Sequence, residues 1–372
     1  MAVIGGGSAP EKASLPETLQ NSPQNDREKE LINLLEHGNR AEALAAIREL
    51  ATIGGALNRQ RFVAIMLDTH WPNALRTEAA LALLASDVLT DRVRAAQGLA
   101  LIGGRENIER LAAMIDDPSL PKGLRLGAAL SMEIVGTPRA RDILLNAFSV
   151  LDEPAAHEQL LGALGKFPFR QIEAKMTEVL NDPNSPDSVR VAAVDAMAGS
   201  SPDALPFLKA KAESDRDPKV REMAAWAISA LPAENGAMGQ ELARMATVEP
   251  QVDVRRRLYE ALPTQEVNPA ESLLPQIKSE SDIAARVAGY NALGDAVSRD
   301  PSSPLSTQFD TQLVPELTKI ANSGESLNIR MRAVFALRRA GTPDAQAALQ
   351  AISQSSEVKV AQAALHGLKP AQ

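Results

Sequence analysis

From Asp26 onward the chain repeats one pattern: apolar residues at three- and four-residue spacing, then a short break at Gly, Pro, Asp or Asn. That spacing lines the apolar side chains along one stripe of an α-helix. The first such stretch, Asp26 to Leu35 closing at Gly38, predicts a capped amphipathic helix. The two-residue alternation of a half-buried strand is missing, so the expected class is all-α. Residues 1–26 are rich in Gly, Ser, Pro, Gln and Asn and carry no period, which predicts a disordered tail or linker.

One element recurs inside the pattern. An apolar residue and an arginine are followed by a run dominated by Ala and closing on Leu: Val93-Arg94, Leu124-Arg125, Val189-Arg190, Val220-Arg221, Val254-Arg255, Ala285-Arg286, Ile329-Arg330 and, with lysine, Val358-Lys359. A degenerate copy has His157 in the arginine's place. The anchors fall 29–34 residues apart, apart from one interval of 44 between Arg286 and Arg330. Two helices of about 12 residues with two short turns need roughly 30–35 residues, so each interval is one helix hairpin. The long interval holds the Pro- and Ser-rich stretch 298–311, expected to be a loop insertion. Upstream of Leu89 the register is loose: Arg48 and Arg76 lie 28 apart, Arg76 and Arg94 only 18. Regular repeats are therefore expected over 90–368, with atypical first units at 27–89 acting as a terminal cap.

The recurring Asp-x-x-Val-Arg-x-x-Ala-x-x-Ala-Leu pattern resembles the second helix of HEAT repeats, especially the short bacterial variety that includes phycobilin-lyase-type repeats. The resemblance covers roughly residues 40–368 and implies a right-handed α-solenoid of about ten helix pairs over 27–372. It also implies that Asp and Arg of successive repeats form a hydrogen-bonded ladder. On that basis Arg94, Arg125, Arg190, Arg221, Arg255, Arg286 and Arg330 are structural, with Asp91, Asp187, Asp217, Asp253 and Asp282 as their acidic partners and as N-caps of the second helices.

Counted from each arginine, positions +3, +6 or +7 and +10 are mostly Ala, Leu, Ile or Met, one packed face at helical period. Positions +1 and +5 are not needed for that packing, and in HEAT-like stacks this part of the second helix tends to face the concave side. They hold Asp195, Glu222, Trp226, Glu260, Asn291, Met331 and Phe335, a mixed acidic, polar and aromatic stripe expected to meet a partner protein. Trp226 and Phe335 are the expected anchors, because aromatic residues dominate interface hot spots. Tyr259 and Tyr290, at +4, fall nearer the packing seam and are expected to be structural.

Composition agrees with stacked helices. The 372 residues are 45% hydrophobic but only 3% aromatic, and close helix contacts are built from Ala and Leu rather than large rings. A net charge of −8 argues against nucleic acid, whose binders carry a basic stripe. With no cysteine, thiolate nucleophiles and Cys-based metal sites are excluded. No apolar run is long enough to span a bilayer. The start lacks a full export signal, so a cytoplasmic or, after trimming of a leader, a periplasmic location are both open.

No motif carries catalysis. The four histidines, His37, His70, His157 and His366, are far apart and none has helical metal-site spacing. An iron hydroxylase built on HEAT repeats needs several His-Glu pairs, and His157-Glu158 is alone. No metal or cofactor is expected. The expected function is a non-catalytic protein-binding scaffold, with a HEAT-like enzyme, an alkylated-base DNA glycosylase or a bilin lyase, as the alternative.

Overall fold

A computed structural model of the chain describes residues 14–21, 25–198, 202–231, 237–265 and 268–368. Among these there is no strand, and none of the helices is long and apolar enough to cross a membrane. The chain divides by contact into two compact units, residues 1–167 and 168–372. Each is a stack of helix pairs, the architecture of an α-solenoid.

Unit one contains helices α1 (Asp26–His37), α2 (Arg40–Ile53), α3 (Ala56–Leu67), α4 (Asn73–Leu84), α5 (Leu89–Ile102), α6 (Arg105–Asp116), α7 (Lys122–Leu130), α8 (Pro138–Val150) and α9 (Pro154–Leu164). Its second helices α2, α4, α5, α7 and α9 pack each on the next. The loose spacing before Leu89 has a simple cause. Only residues 85–88 separate α4 from α5, too few for a helix, so α5 stacks on α4 without a first helix of its own.

Of the stretch expected to be a tail, residues 1–13 and 22–24 lie outside the described residues. Residues 14–21 pack against the first helices. Leu15 is buried, its N–H donates to Glu36 Oε1 at 2.7 Å, and Arg61 Nε donates to the Leu19 carbonyl at 3.0 Å.

Unit two contains α10 (Phe169–Asn181), α11 (Asp187–Ala198), α12 (Leu205–Ser214), α13 (Pro218–Ala230), α14 (Ala237–Val248), α15 (Val252–Ala261), α16 (Leu274–Ser279), α17 (Ile283–Arg299), α18 (Val314–Ala321), α19 (Leu327–Ala340), α20 (Pro343–Ile352) and α21 (Val358–Leu365). Here α11, α13, α15, α17, α19 and α21 form the row of second helices. The small residues earn their recurrence at these contacts. A Cβ on Gly294 of α17 would sit 2.9 Å from the Ala336 carbonyl oxygen of α19, so the two backbones can meet only at glycine. Ala224, Ala227 and Ile228 of α13 are wholly buried at the +3, +6 and +7 positions.

The expected loop at 298–311 is mostly helical, and this corrects the sequence reading. α17 runs to Arg299, a turn closed by Asp300 and Ser302 follows, and Pro304–Gln308 begins a new helix that passes through one π-turn at Phe309–Leu313 into α18. Proline breaks a helical pattern in sequence but is well placed at the first helical position, where it has no N–H to satisfy. Leu305, Phe309 and Leu313 are buried.

The arginines of the second helices grip the ends of first helices, and Arg125, Arg221, Arg255 and Arg286 each staple two of them together. Arg125 Nε donates to the Ile115 carbonyl at the end of α6 (2.8 Å), and its Nη2 to the Val150 carbonyl at the end of α8 (3.0 Å). A helix leaves its last carbonyls unpaired and carries partial negative charge there, so a guanidinium satisfies both needs. In unit two a carboxylate joins the site. Arg190 donates to Asp215 (2.6 Å), Arg221 to both oxygens of Glu249 (2.8 and 2.8 Å) and Arg255 to both oxygens of Glu280 (2.7 and 2.9 Å), while Arg286 lies 3.0 Å from Glu316. Arg221, Arg255 and Arg286 also reach back to the carbonyls of Asp215, Glu249 and Glu280 respectively. Arg330 holds the Ala321 carbonyl (2.9 Å), and His157 stands in as expected, 3.2 Å from the Phe148 carbonyl and stacked on that ring. Tyr259 and Tyr290 are buried and donate to Glu280 and Glu316.

The acidic partners therefore differ from those expected. Asp217 and Asp282 do cap their helices, accepting from Lys219 N–H and Ala285 N–H, and Asp217 approaches Arg190 only at 4.0 Å. Asp187 begins α11. Asp91 and Asp253 lie inside the first turn, with Val88 and Gln251 at the cap positions, and pair with Arg59 and Arg256. The ladder acids Asp215, Glu249 and Glu280 sit instead just past the end of the next first helix, and Glu316 in the first turn of α18. Arg94 is the exception that tests the rule. With no first helix before α5, its side chain is 52% exposed and meets only Asp91 at 3.6 Å.

These pairs give the fold an acid limit. Burial raises the Glu249 carboxyl, but the bonds from Arg221 and the Gln251 N–H outweigh it and hold the group below the ordinary 4.5. Arg255 does the same for Glu280 against its burial. Groups depressed in the folded state stabilise it fully above the unfolded value and lose that contribution as pH falls through the folded value. The midpoint of urea unfolding, followed by circular dichroism, is expected to hold steady down to about pH 5 and then fall, because the unfolded chain binds more protons there. A Glu249→Gln, Glu280→Gln double variant is expected to start lower and show a shallower fall. An equal slope would remove these carboxylates as the cause.

Candidate functional site

The outward face of the second-helix row in unit two is where the chain departs from plain packing. Of the eleven aromatic residues, only Trp226 (38%) and Phe335 (42%) are exposed; eight are buried and Phe207 is half-buried. Both project from second helices, α13 and α19, at the +5 position, where the helix turns its side away from its own first helix.

Phe335 lines a cavity of about 740 Å³ that is open to solvent. Val287, Ala288 and Asn291 of α17 contribute to its lining, as do Glu260 of α15 and Met331, Arg332, Arg338 and Arg339 of α19. Four of the stripe residues, Glu260, Asn291, Met331 and Phe335, thus share one cavity. The other three, Asp195, Glu222 and Trp226, line a second cavity of about 380 Å³ with Val191, Met223, Lys219 and Arg257.

A string of ion pairs runs between the two sets. Glu222 accepts from Arg257 (3.1 Å) and, more loosely, Arg256 (3.4 Å); Arg257 also donates to Glu260 (2.7 Å), which in turn takes Arg332. Arg332 Nε completes its bonding on Asn328 Oδ1 at 2.9 Å. Burial raises the Glu260 carboxyl, yet the two guanidinia win and leave it below its ordinary value, so it is an anion at neutral pH. Charges so paired hold long side chains in place and keep the face polar between its two aromatic ends.

The basic wall of the larger cavity was not anticipated. Arg338 and Arg339 fall at +8 and +9 from Arg330, outside the +1 and +5 positions, and His366 and Gly367 come from the end of α21. Arg339 pairs with the buried Asp295 (3.0 Å), which also holds Arg299 (2.8 Å) and Asn268 (3.1 Å). The guanidinium of Arg338 lies over the Phe335 ring, 5.6 Å from its centre. Among the described residues no group of three His, Asp or Glu side chains converges as a metal would require.

Comparison with known proteins bears on the repeats. The family model for HEAT repeats matches residues 150–229 and 174–263. No curated protein matches the sequence. Among solved structures, human deoxyhypusine hydroxylase in complex with glycerol is similar at 21% identity, over 70% of this chain and 94% of that one, with a TM-score of 0.32. Kap121p bound to Pho4p is similar at 11% identity, over 92% of this chain and 45% of that one, with a TM-score of 0.47. The karyopherin Kap121p bound to the extreme C-terminus of the phosphatase Cdc14p gives 13%, 92%, 45% and 0.44. The chain thus spans less than half the length of the Kap121p chains. Residues 150–263 thus match HEAT repeats, and Arg-led helix pairs of the same form continue on both sides of that stretch.

Proposed function

We propose that the chain is a non-catalytic adaptor that binds another protein along the second-helix face of unit two. The observation that carries this is the exposure of Trp226 and Phe335 in a chain that buries or half-buries every other aromatic side chain. Leaving a ring in water forgoes the gain of burying it, and exposed rings set in cavities with polar rims are the usual anchors of an interface. The seven stripe residues supply both parts, with Trp226, Phe335 and Met331 as apolar contacts and Asp195, Glu222, Glu260 and Asn291 as the polar rim.

The test is comparative capture from the source cell with the intact chain and with a Trp226→Ala, Phe335→Ala variant. A stoichiometric partner is expected with the former and lost with the latter, each ring contributing about 2 kcal/mol or more as a hot spot. Because neither ring is buried, the urea midpoint of the variant is expected to stay within about 0.5 kcal/mol of the parent. A partner retained by the double variant would place the binding face elsewhere.

A further inference from the structure

We infer that the Phe335 cavity takes an acidic segment of the partner, a carboxylate beside a bulky apolar residue, with Arg338 as the receiving cation. This rests on the adaptor reading and adds the chemistry of what is bound.

The chain as a whole is acidic, at −8, yet three guanidinia line this cavity against one carboxylate. That carboxylate, Glu260, is committed to Arg257 and Arg332. Arg339 is committed to Asp295. Arg338 has no carboxylate partner among the described residues, and its guanidinium is held over the exposed face of Phe335. The cavity therefore presents one uncommitted, pre-oriented planar cation with an apolar surface formed by Phe335, Met331 and Val287 directly beside it.

A guanidinium already positioned on a ring loses little freedom when a carboxylate docks, and its fork donates to two oxygens at once. A neighbouring apolar side chain on the same segment would cover the ring edge and displace water from the pair. The rest of the face fits a peptide better than a nucleic acid strand. Away from this cavity the row carries Asp195 and Glu222 interleaved with Lys219 and Arg257, mixed charges in place of the unbroken basic stripe that a run of phosphates needs.

The probe is a fluorescein-labelled peptide of alternating Glu and Phe or Leu. One counterpart has every Glu replaced by Lys, and another has every apolar residue replaced by Ser. Fluorescence anisotropy with the full chain is expected to show the Glu–Phe peptide binding at least about tenfold tighter than either counterpart, and weakening as NaCl is raised. Arg338→Glu is expected to cost that peptide about tenfold or more and to improve binding of the Lys peptide, while Arg338→Gln gives a smaller loss. Unchanged circular dichroism and thermal midpoints keep the variants interpretable.

Equal binding of the Glu and Lys peptides, no binding of any peptide, or an Arg338→Glu variant that binds as the parent does would overturn the proposal. So would a single-stranded oligonucleotide that competes as well as the acidic peptide. The two readings fail separately. If the peptides behave alike but the Trp226→Ala, Phe335→Ala variant still loses its cellular partner, the adaptor stands and the acidic chemistry falls. If the acidic peptide binds as expected while capture ignores those rings, the cavity chemistry stands and the adaptor face is wrong.

Discussion

Replacing Arg190 with methionine is expected to lower the stability of unit two by about 3–5 kcal/mol, the cost of leaving a buried carboxylate without its counter-charge. The Arg190 and Asp215 side chains are only 3% and 4% exposed and 2.6 Å apart, so Asp215 cannot recover its hydration where it stands. The remaining cation nearby, Lys211 at 3.5 Å, recovers part of the loss at most. Removing both charges, with Arg190→Met and Asp215→Leu together, is expected to restore most of the stability, since the penalty belongs to the orphaned charge rather than to the pair. Arg94→Met is the internal control. It carries the same sequence signature on an exposed side chain with no first helix to staple, so its cost is expected to stay under about 0.5 kcal/mol. Urea unfolding followed by circular dichroism measures all three. Equal losses at 94 and 190 would mean that the arginines do not act through the helix ends they touch.

Phe309→Ala is expected to cost about 3–5 kcal/mol, the range for deleting a buried aromatic side chain and leaving its cavity. Phe309 is fully buried in the π-turn that joins Pro304–Gln308 to α18, and its neighbour Asp310 accepts from Thr342 Oγ1 at the start of α20. A solvent-facing loop at 298–311 would tolerate the change within about 0.5 kcal/mol. Hydrogen exchange on the amides of 304–313 gives a second readout: protection in the parent and its selective loss in the variant. Fast exchange in both would return the stretch to a loop.

What could be foreseen and what could not divides along one line, local period against distant partnership. The arginine anchors recur at a fixed offset from the packed face of their own helix, so periodicity alone located Arg125 to Arg330 and even recognised His157 as a substitute. Their acids lie at or near the ends of first helices, 25 residues away for Asp215 and 28 for Glu249, in segments with no repeated motif. Proximity in sequence therefore favoured Asp187 and Asp253 as partners, which the chain uses locally. The same limit hid Arg338, whose place beside Phe335 follows from the turn of α19 and the approach of α21 rather than from any repeated offset. The short interval between Arg76 and Arg94 was visible but suggested an irregular cap; counting residues 85–88 against the length of a helix would have shown a missing first helix. Proline at 304 misled in the opposite direction, because a residue that ends one helix also starts the next.

The staple gives the array a direction. In unit two Arg221, Arg255 and Arg286 reach back to the end of their own first helix and forward to the next, while Arg190 grips only forward and Arg330 only back, so neighbouring pairs are clasped to one another. Nearest-neighbour coupling of this kind spreads folding along the chain like a zip rather than a collapse. It also has a weak tooth. At Arg94 the backward grip has nothing to hold, so the α4–α5 junction lacks the staple that clasps the other pairs, and a disturbance travelling along unit one is expected to meet its lowest barrier there.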